Sequence, residues 1–233
     1  MNKKRKKVCR VKELPHDFMD SVIGYEDLKK LFARSLLSPK QTHILLSGPP
    51  ASAKSIILLE CSRLKGAEYI LGYKTTKAGL VSLLFERKPW YLLIDEIEKM
   101  PKETLEVLLG LMDPGIVKNV TYYGVEEIQL QTNVYAACNS FDNLAPELLS
   151  RFHFKIEVPQ YSRDKFLLVS ARVLTMLEGV PKELALYIAE QVSVDSLDVR
   201  QAIGIARLAR TKDDVDELIA LQRKYMPWSR KLF

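Results

Sequence analysis

The sequence is poor in the residues that build disulfide frameworks and zinc sites. Its 233 residues include only three cysteines and three histidines. Cys9, Cys61 and Cys138 have neither C-x-x-C spacing nor the density of a disulfide-stapled domain, and the histidines are equally scattered. We therefore expect a reducing compartment, the cytoplasm, and no structural zinc.

Long apolar runs are also missing. No stretch approaches the roughly 18 residues that a membrane-spanning helix needs, and the amino terminus lacks the apolar segment of a secretory signal. Hydrophobic residues still make up 47% of the chain, enough to bury a full core. These features predict a globular protein that is not a membrane protein.

Acidic residues are absent from the first twelve positions, MNKKRKKVCRVK, which carry seven Lys or Arg. Taking these seven from the total of 35 leaves 28 basic residues against 29 acidic ones. The excess charge therefore belongs to residues 1–12 and not to the body of the chain. Such a run is typical of a flexible, solvated arm and also of an arm that contacts nucleic acid; both interpretations stay open.

The remaining patterns alternate between strand and helix. Short apolar runs predict five strands, THILLSG, EYILGY, WYLLIDE, TNVYAACN and HFKIEVP, of which THILLSG and TNVYAACN are expected to be buried, and residues 117–131 predict a hairpin about Gly124. After Pro159 only helical patterns follow. This order predicts an α/β domain over 13–159, with a parallel five-stranded sheet sandwiched by helices, then a small all-helical domain over 160–225 and a tail over 226–233.

The stretch LLSGPPASAKS nearly matches the phosphate-binding pattern G-x-x-x-x-G-K-[ST]. In such loops backbone N–H groups surround the phosphates, the lysine reaches the terminal phosphates and the hydroxyl binds Mg²⁺. Ala53 replaces the second glycine; it costs little at a negative φ and about 1 kcal/mol at a positive one. The candidate nucleotide-binding residues here are Gly48, Pro49, Pro50, Ala51, Ser52, Ala53, Lys54 and Ser55.

Two carboxylates end the apolar run YLLIDE. Burying carboxylates beside a strand is costly unless they face a cation or a polar cleft. We expect Asp95 to hold Mg²⁺ and Glu96 to orient and deprotonate the attacking water.

Together these motifs resemble the AAA+ ATPases over about residues 20–210. GPPASAKS resembles Walker A, LLIDEIEKM resembles Walker B, and DSVIGYEDLKK resembles the segment that lies against adenine, with Ile23 and Gly24 at the matching positions. The resemblance implies a P-loop NTPase fold with a helical lid, and ATP and Mg²⁺ as ligands. Ala51 and Ala53 depart from the family, whose loop commonly has glycine at both places.

The resemblance also implies three further catalytic residues. Asn139 matches sensor 1, Arg151 in PELLSRF matches the arginine finger that acts on a neighbouring subunit, and Arg200 matches sensor 2. A finger acting in trans implies a homo-oligomer, most often a hexameric ring. Each residue also has a simpler interpretation, as a helix cap, a cover for a helix C-terminus and an exposed helix residue respectively.

Two features suggest the substrate. KTTKAGL resembles a segment of MCM-like helicases, and the hairpin resembles the insertion shared by MCM, RuvB and MoxR relatives, which together suggest a small archaeal-type RuvB-like ATPase. The possible DNA contacts are Lys74, Lys77, Lys118, Tyr122 and Tyr123. Glu126 and Glu127 of the same hairpin would repel phosphates.

Three hypotheses remain open. The first is a motor that remodels or translocates DNA. The second is a MoxR-like chaperone that remodels a protein, and the third is an assembly module gated by ATP with slow hydrolysis. The C-terminal tail, with Trp228 and Phe233, is expected either to contact a partner protein or to pack on the lid.

Overall fold

The computed structural model describes residues 13–50, 52–121, 124–176 and 178–225. The basic arm, Ala51, Tyr122, Tyr123 and the tail with Trp228 and Phe233 lie outside the described residues. The chain forms two compact units. One contains the residues up to Gly48 together with Ala53–Val158, and the other contains Pro49–Ser52 together with the residues from Pro159 onward.

The first unit contains the predicted parallel sheet. Its strands and those of the hairpin are β1 Ile44–Ser47, β2 Ala67–Leu71, β3 Tyr91–Asp95, β4 Ile116–Thr121, β5 Gly124–Gln129, β6 Asn133–Cys138 and β7 Phe154–Glu157. The sheet order is β2-β3-β6-β1-β7, and every neighbouring pair is parallel. The sequence-based prediction of a five-stranded parallel sheet flanked by helices is confirmed.

Strands β1 and β6 are buried along their whole length because both faces of a parallel sheet are covered. The helices of this unit are α1 Glu26–Leu37, α2 Lys54–Ser62, α3 Lys77–Arg87, α4 Lys102–Met112 and α5 Pro146–Arg151. Leu45, Leu92, Ile94, Val134 and Ala136 from the central strands belong to one apolar cluster with side chains of α3 and α4. This core holds the strand ends, and therefore the residues that follow them, in fixed positions.

Strand β2 is shorter than the run EYILGY predicts. It ends at Leu71, and Gly72–Lys74 forms a 3₁₀ turn. A β-carbon on Gly72 would lie 2.2 Å from the carbonyl oxygen of Glu96. The chain therefore leaves the strand where its backbone contacts the turn after β3, and only glycine fits there.

The predicted hairpin is present as β4 and β5, which pair antiparallel from Ile116 opposite Gln129 to Thr121 opposite Gly124. Its described charged residues are exposed, and Lys118 forms a 3.2 Å ion pair with Glu127. The lysine of the hairpin is therefore neutralised by its cross-strand neighbour.

The second unit is helical, with α6 Arg163–Met176, α7 Lys182–Val192, α8 Val199–Leu208 and α9 Lys212–Tyr225. Each helix places apolar side chains in the interior, among them Phe166, Ile188, Ile205 and Val215. Asp198 caps α8 by accepting the backbone N–H of Arg200. Among the described residues, no helix has the length and apolar content needed to cross a bilayer.

Candidate nucleotide-binding site

Three neighbouring strands of the sheet bring the predicted motifs to one edge. Gly48 follows β1, Asp95 ends β3 and Asn139 follows β6. Because these strands are parallel and adjacent in the order β3-β6-β1, their carboxyl ends lie side by side. The register places Ser47 opposite Cys138, and the hydroxyl of Ser47 donates to the carbonyl of Asn139 over 3.5 Å.

Lys54 is the buried cation of this edge. It is the first residue of α2, is 6% exposed, and its Nζ donates to the carbonyl oxygen of Gly48 over 2.6 Å. Burial lowers the pKa of Lys54, and the negative charges of Asp95 and Glu98 partly oppose that shift. The ammonium group is thus held at the start of the helix, where it interacts electrostatically with Asp95 and Glu98.

Ala53 stands in a conformation that alanine adopts freely. Its φ is −68°, immediately before α2, and its side chain is fully buried. The penalty expected for a positive φ does not arise. Gly48, in contrast, has a φ of 154°, in the region that favours glycine. The first glycine of the motif is therefore required by the backbone, and the second is not.

Asp95 is oriented from two sides. The hydroxyl of Tyr69 donates to Oδ2 over 2.9 Å, and the backbone N–H of Glu96 donates to Oδ1 over 3.0 Å. Burial, followed by the charge of Asp95, raises the pKa of Tyr69, so the phenol stays protonated and remains a donor. Tyr69 lies on β2 and was not predicted, because its role depends on β2 being the neighbour of β3.

Glu96 adopts a left-handed backbone conformation, with a φ of 53°. Its Oε1 accepts a 2.8 Å hydrogen bond from Nζ of Lys99. That hydrogen bond raises the pKa of Lys99. The backbone of Glu96 packs closely against Gly72, with no space between them for a side chain.

Asn139 is bound by a residue that the sequence analysis did not single out. Its backbone N–H and its side-chain Nδ2 both donate to Oε1 of Glu98, over 3.0 and 2.8 Å. The cap of the short 3₁₀ turn that follows is Ser140, and not Asn139. The simpler interpretation of Asn139 as a cap is therefore wrong for this turn.

Arg151 lies at the opposite edge of the sheet. It ends α5, just before β7, and its Nη1 donates to Asp113 over 2.7 Å. Both residues line a cavity of about 500 Å³ together with His43 and His153. His43 is buried there: its Nδ1 accepts the backbone N–H of Val134, and its Nε2 bonds the carbonyl of Met112 over 3.3 Å.

Comparison with known protein families identifies the family of this chain. The model for the ATPase family associated with various cellular activities (AAA) matches residues 44–160, which are 117 of the 233 residues. This chain belongs to the AAA family. No curated protein sequence matches the chain significantly.

Solved structures of the RuvB Holliday junction branch migration motor of Thermotoga maritima share the fold of this AAA protein. One is 23% identical, covers 91% of this chain and 72% of its own, and has a TM-score of 0.65. Two point mutants of RuvB are 20% and 21% identical, each with a TM-score of 0.69. They cover 88% and 90% of this chain, and 72% and 74% of their own. At this identity the likeness concerns the fold alone.

The donor groups at the carboxyl edge fit a nucleotide with Mg²⁺. Hard divalent cations prefer oxygen ligands, which the hydroxyl of Ser55 and the carboxylate of Asp95 can provide. A buried ammonium such as that of Lys54 suits a terminal phosphate, and the first turn of α2 directs backbone N–H groups toward an anion. The hydrogen bonds to its two oxygens hold the carboxylate of Asp95 in one orientation in this AAA protein.

The remaining candidates belong to other segments of the chain. Arg200 belongs to the second unit, on α8, where its exposed guanidinium pairs with Asp198 over 2.8 Å. Ile23 is half-buried before α1, and Gly24 has a φ of 76°, which favours glycine. Lys74 and Lys77 are exposed.

Proposed function

We propose that this protein hydrolyses ATP at the subunit interfaces of a homo-oligomeric ring, of the hexameric kind, and uses the energy to remodel or translocate DNA. The observation that carries the proposal is the convergence of Lys54, Asp95, Glu96 and Asn139 at the carboxyl ends of three adjacent strands. These residue types are the cation, metal ligand, base and polar positioning group that phosphoryl transfer to water requires.

Each residue has a definite task in this scheme. Lys54 binds the terminal phosphates, and Ser55 with Asp95 holds Mg²⁺, which neutralises phosphate charge when bound. Glu96 accepts a proton from the attacking water, and Asn139 orients that water. Ile23 and Gly24 lie against the adenine, and Gly48 to Ala53 surround the phosphates.

Arg151 and Arg200 supply further positive charge. Strand β1 has four residues, so the two edges of the sheet are about 13 Å apart at 3.3 Å per residue. Arg151 lies at the amino edge, and we propose that it reaches the nucleotide of a neighbouring protomer. Arg200, on the helical unit, acts as the sensor of the lid.

The case for DNA rests on the segment after β2. Lys77 is the first residue of α3, a position where the helix dipole disfavours a cation, and Lys74 lies three residues before it. Two exposed lysines at a positive helix end favour a polyanionic partner. The residues of the arm, together with Tyr122 and Tyr123, are further candidate contacts.

A protein partner is the second candidate, and the hairpin favours it. Glu126 and Glu127 are exposed, and Lys118 is paired with Glu127. The described part of the hairpin therefore offers no excess positive charge to phosphates. A chaperone of the MoxR type, with the tail residues Trp228 and Phe233 as a docking point, would fit this charge distribution.

The deciding experiment is steady-state ATP hydrolysis at several protein concentrations, with and without DNA, using Glu96→Gln as the blank. The motor proposal expects activity that rises more than linearly with protein concentration and increases with DNA. A hydrolysis rate that is the same with and without DNA favours the chaperone hypothesis. Nucleotide binding without hydrolysis above the blank would leave the third hypothesis, an ATP-gated assembly module.

A further inference from the structure

We infer that Glu98 is a positioning residue that fixes the orientation of the Asn139 side chain for hydrolysis. The inference deepens the proposed ATPase and rests on it for its effect on rate. It starts from a pair of hydrogen bonds: the backbone N–H and Nδ2 of Asn139 both donate to the same oxygen, Oε1 of Glu98.

The chemistry of the partner determines which way the amide faces. A carboxylate oxygen only accepts hydrogen bonds, so the group of Asn139 that faces Glu98 must be the NH₂ group. The carbonyl Oδ1 then lies on the other side of the side chain. Glu98 thereby makes Asn139 present the acceptor Oδ1, to which a water molecule can donate a hydrogen bond.

The position of Glu98 is itself well determined. It lies in the turn Ile97–Lys99 directly after β3, where Ile97 is fully buried and Met100 is 5% exposed. These two apolar side chains fix the turn on both sides of the carboxylate. The backbone of Glu98 is therefore restrained by packing, and its carboxylate can hold Asn139 in one place.

The second oxygen of Glu98 faces inward. Oε2 is buried and has no hydrogen-bond partner among the described residues, and the carboxylate acts electrostatically on Lys54 and Cys138. A surface glutamate selected only for solubility would have both oxygens in water. Glu98 thus links the turn after β3 to the end of β6 and acts electrostatically on Lys54 of the phosphate-binding loop.

Loss of this support should affect the rate far more than the affinity, because Glu98 exerts the smallest of the electrostatic influences that act on the pKa of Lys54. Asn139 acts on the attacking water, which matters in the transition state, whereas phosphate binding depends on Lys54 and the loop. We expect Glu98→Ala to lower kcat by about 10- to 100-fold, near the lower range for losing a pre-oriented polar group. The affinity for a fluorescent ATP analogue should change by less than about threefold, because the proposed contacts of Lys54 and the loop with the phosphates remain in place.

Two companion variants separate positioning from mere packing. Glu98→Gln should recover most of the rate, because its amide oxygen can accept the same two N–H groups. Glu98→Ala combined with Asn139→Ala should be as slow as Asn139→Ala alone, because residues that act as one unit are not additive. Thermal unfolding of each variant verifies that the fold is retained.

A spectroscopic readout tests the contact without reference to activity. The side-chain NH₂ resonance of Asn139 is identified by its loss in Asn139→Ala. It should shift in Glu98→Ala and stay near its original position in Glu98→Gln. An unchanged resonance in Glu98→Ala, or additive losses of kcat in the double variant, would overturn the inference. Absence of wild-type hydrolysis above the Glu96→Gln blank would instead refute the proposed function, and the NMR comparison would still decide the contact.

Discussion

Arg151 and Asp113 form a 2.7 Å ion pair at the edge of the sheet opposite the edge that carries Lys54. The aspartate follows α4 and the arginine ends α5, so the pair joins two helix ends near the start of β7. This contact holds the guanidinium of Arg151 at the amino edge of the sheet.

The first prediction concerns Arg151. Arg151→Ala should lower hydrolysis by roughly 10³- to 10⁵-fold, the range for an arginine that acts in trans. Mixing Arg151→Ala protomers with Glu96→Gln protomers should restore part of the activity, because a Glu96→Gln subunit can supply its arginine to an intact neighbouring site. The measurement is the rate of phosphate release against the ratio of the two variants.

Each variant alone serves as the control for this mixture. A mixed sample that is no more active than the sum of its two parts would show that Arg151 does not act between subunits. Asp113→Asn, which removes the charge beside Arg151 and keeps its shape, tests whether the ion pair assists the arginine.

The second prediction concerns the alanine of the phosphate loop. Ala53→Gly should change nucleotide affinity and kcat by less than about twofold, because a φ of −68° carries no penalty for alanine. The matched variant Gly48→Ala should weaken binding severely, since a φ of 154° is strained for any side chain. Isothermal titration with ATP compares them; a large gain in Ala53→Gly would contradict the structure.

The third prediction concerns Gly72. A methyl group there would lie 2.2 Å from the carbonyl oxygen of Glu96, so Gly72→Ala must displace the turn that carries the proposed base. Hydrolysis should fall strongly while binding of ATP to Lys54 and the loop is retained. We would measure both, together with the free energy of unfolding.

Gly204→Ala is the matched control for that substitution. Gly204 is exposed within α8, and a methyl group would meet nothing within 4 Å. The substitution should stabilise the protein by about 0.5 to 1 kcal/mol, the usual gain from replacing glycine in a helix. Normal hydrolysis in Gly72→Ala would show that the turn tolerates the displacement.

The fourth prediction concerns His43 and pH. Burial lowers the pKa of His43 to about 4, from an ordinary value of 6.5. Between these values the unfolded chain binds a proton that the folded chain does not, so stability rises with pH in this window and falls on acidification. Going from pH 7 to pH 5 should cost about 2 kcal/mol through this residue.

Urea unfolding of the wild type and of His43→Gln at both pH values isolates that contribution. The wild type should lose about 2 kcal/mol more than the variant between pH 7 and pH 5, because glutamine does not titrate. Equal losses would mean that the buried histidine is not the group that responds.

Local patterns were enough to predict which segments form strands and how strands and helices alternate along the chain. The run YLLIDE is apolar because β3 is covered on both faces, and the two carboxylates follow where the strand leaves the core. The same patterns could not predict that β2 ends at Leu71, since the cause is a backbone contact between Gly72 and Glu96 from a different strand.

The partners of the predicted site residues were not visible in the sequence for a similar reason. Tyr69 reaches Asp95 only because β2 and β3 are neighbours, and Glu98 reaches Asn139 only because β6 lies beside β3. Strand order depends on how the whole sheet packs, and no local periodicity reports it. A single tyrosine within a short strand, such as Tyr69 in β2, carries no sign of its partner in the sequence.

Because Lys54 and Arg151 lie at opposite edges of one sheet, the number of complete nucleotide sites in the proposed assembly depends on whether it is open or closed. Contacts that place the arginine edge of one protomer on the lysine edge of the next are head-to-tail, and not two-fold symmetric. An open row of protomers then leaves one incomplete site at its end and one unused arginine at its start. Closure of the row brings the unused arginine to the incomplete site. The subunit that closes the ring therefore forms two interfaces, and the last site becomes complete only in the closed ring.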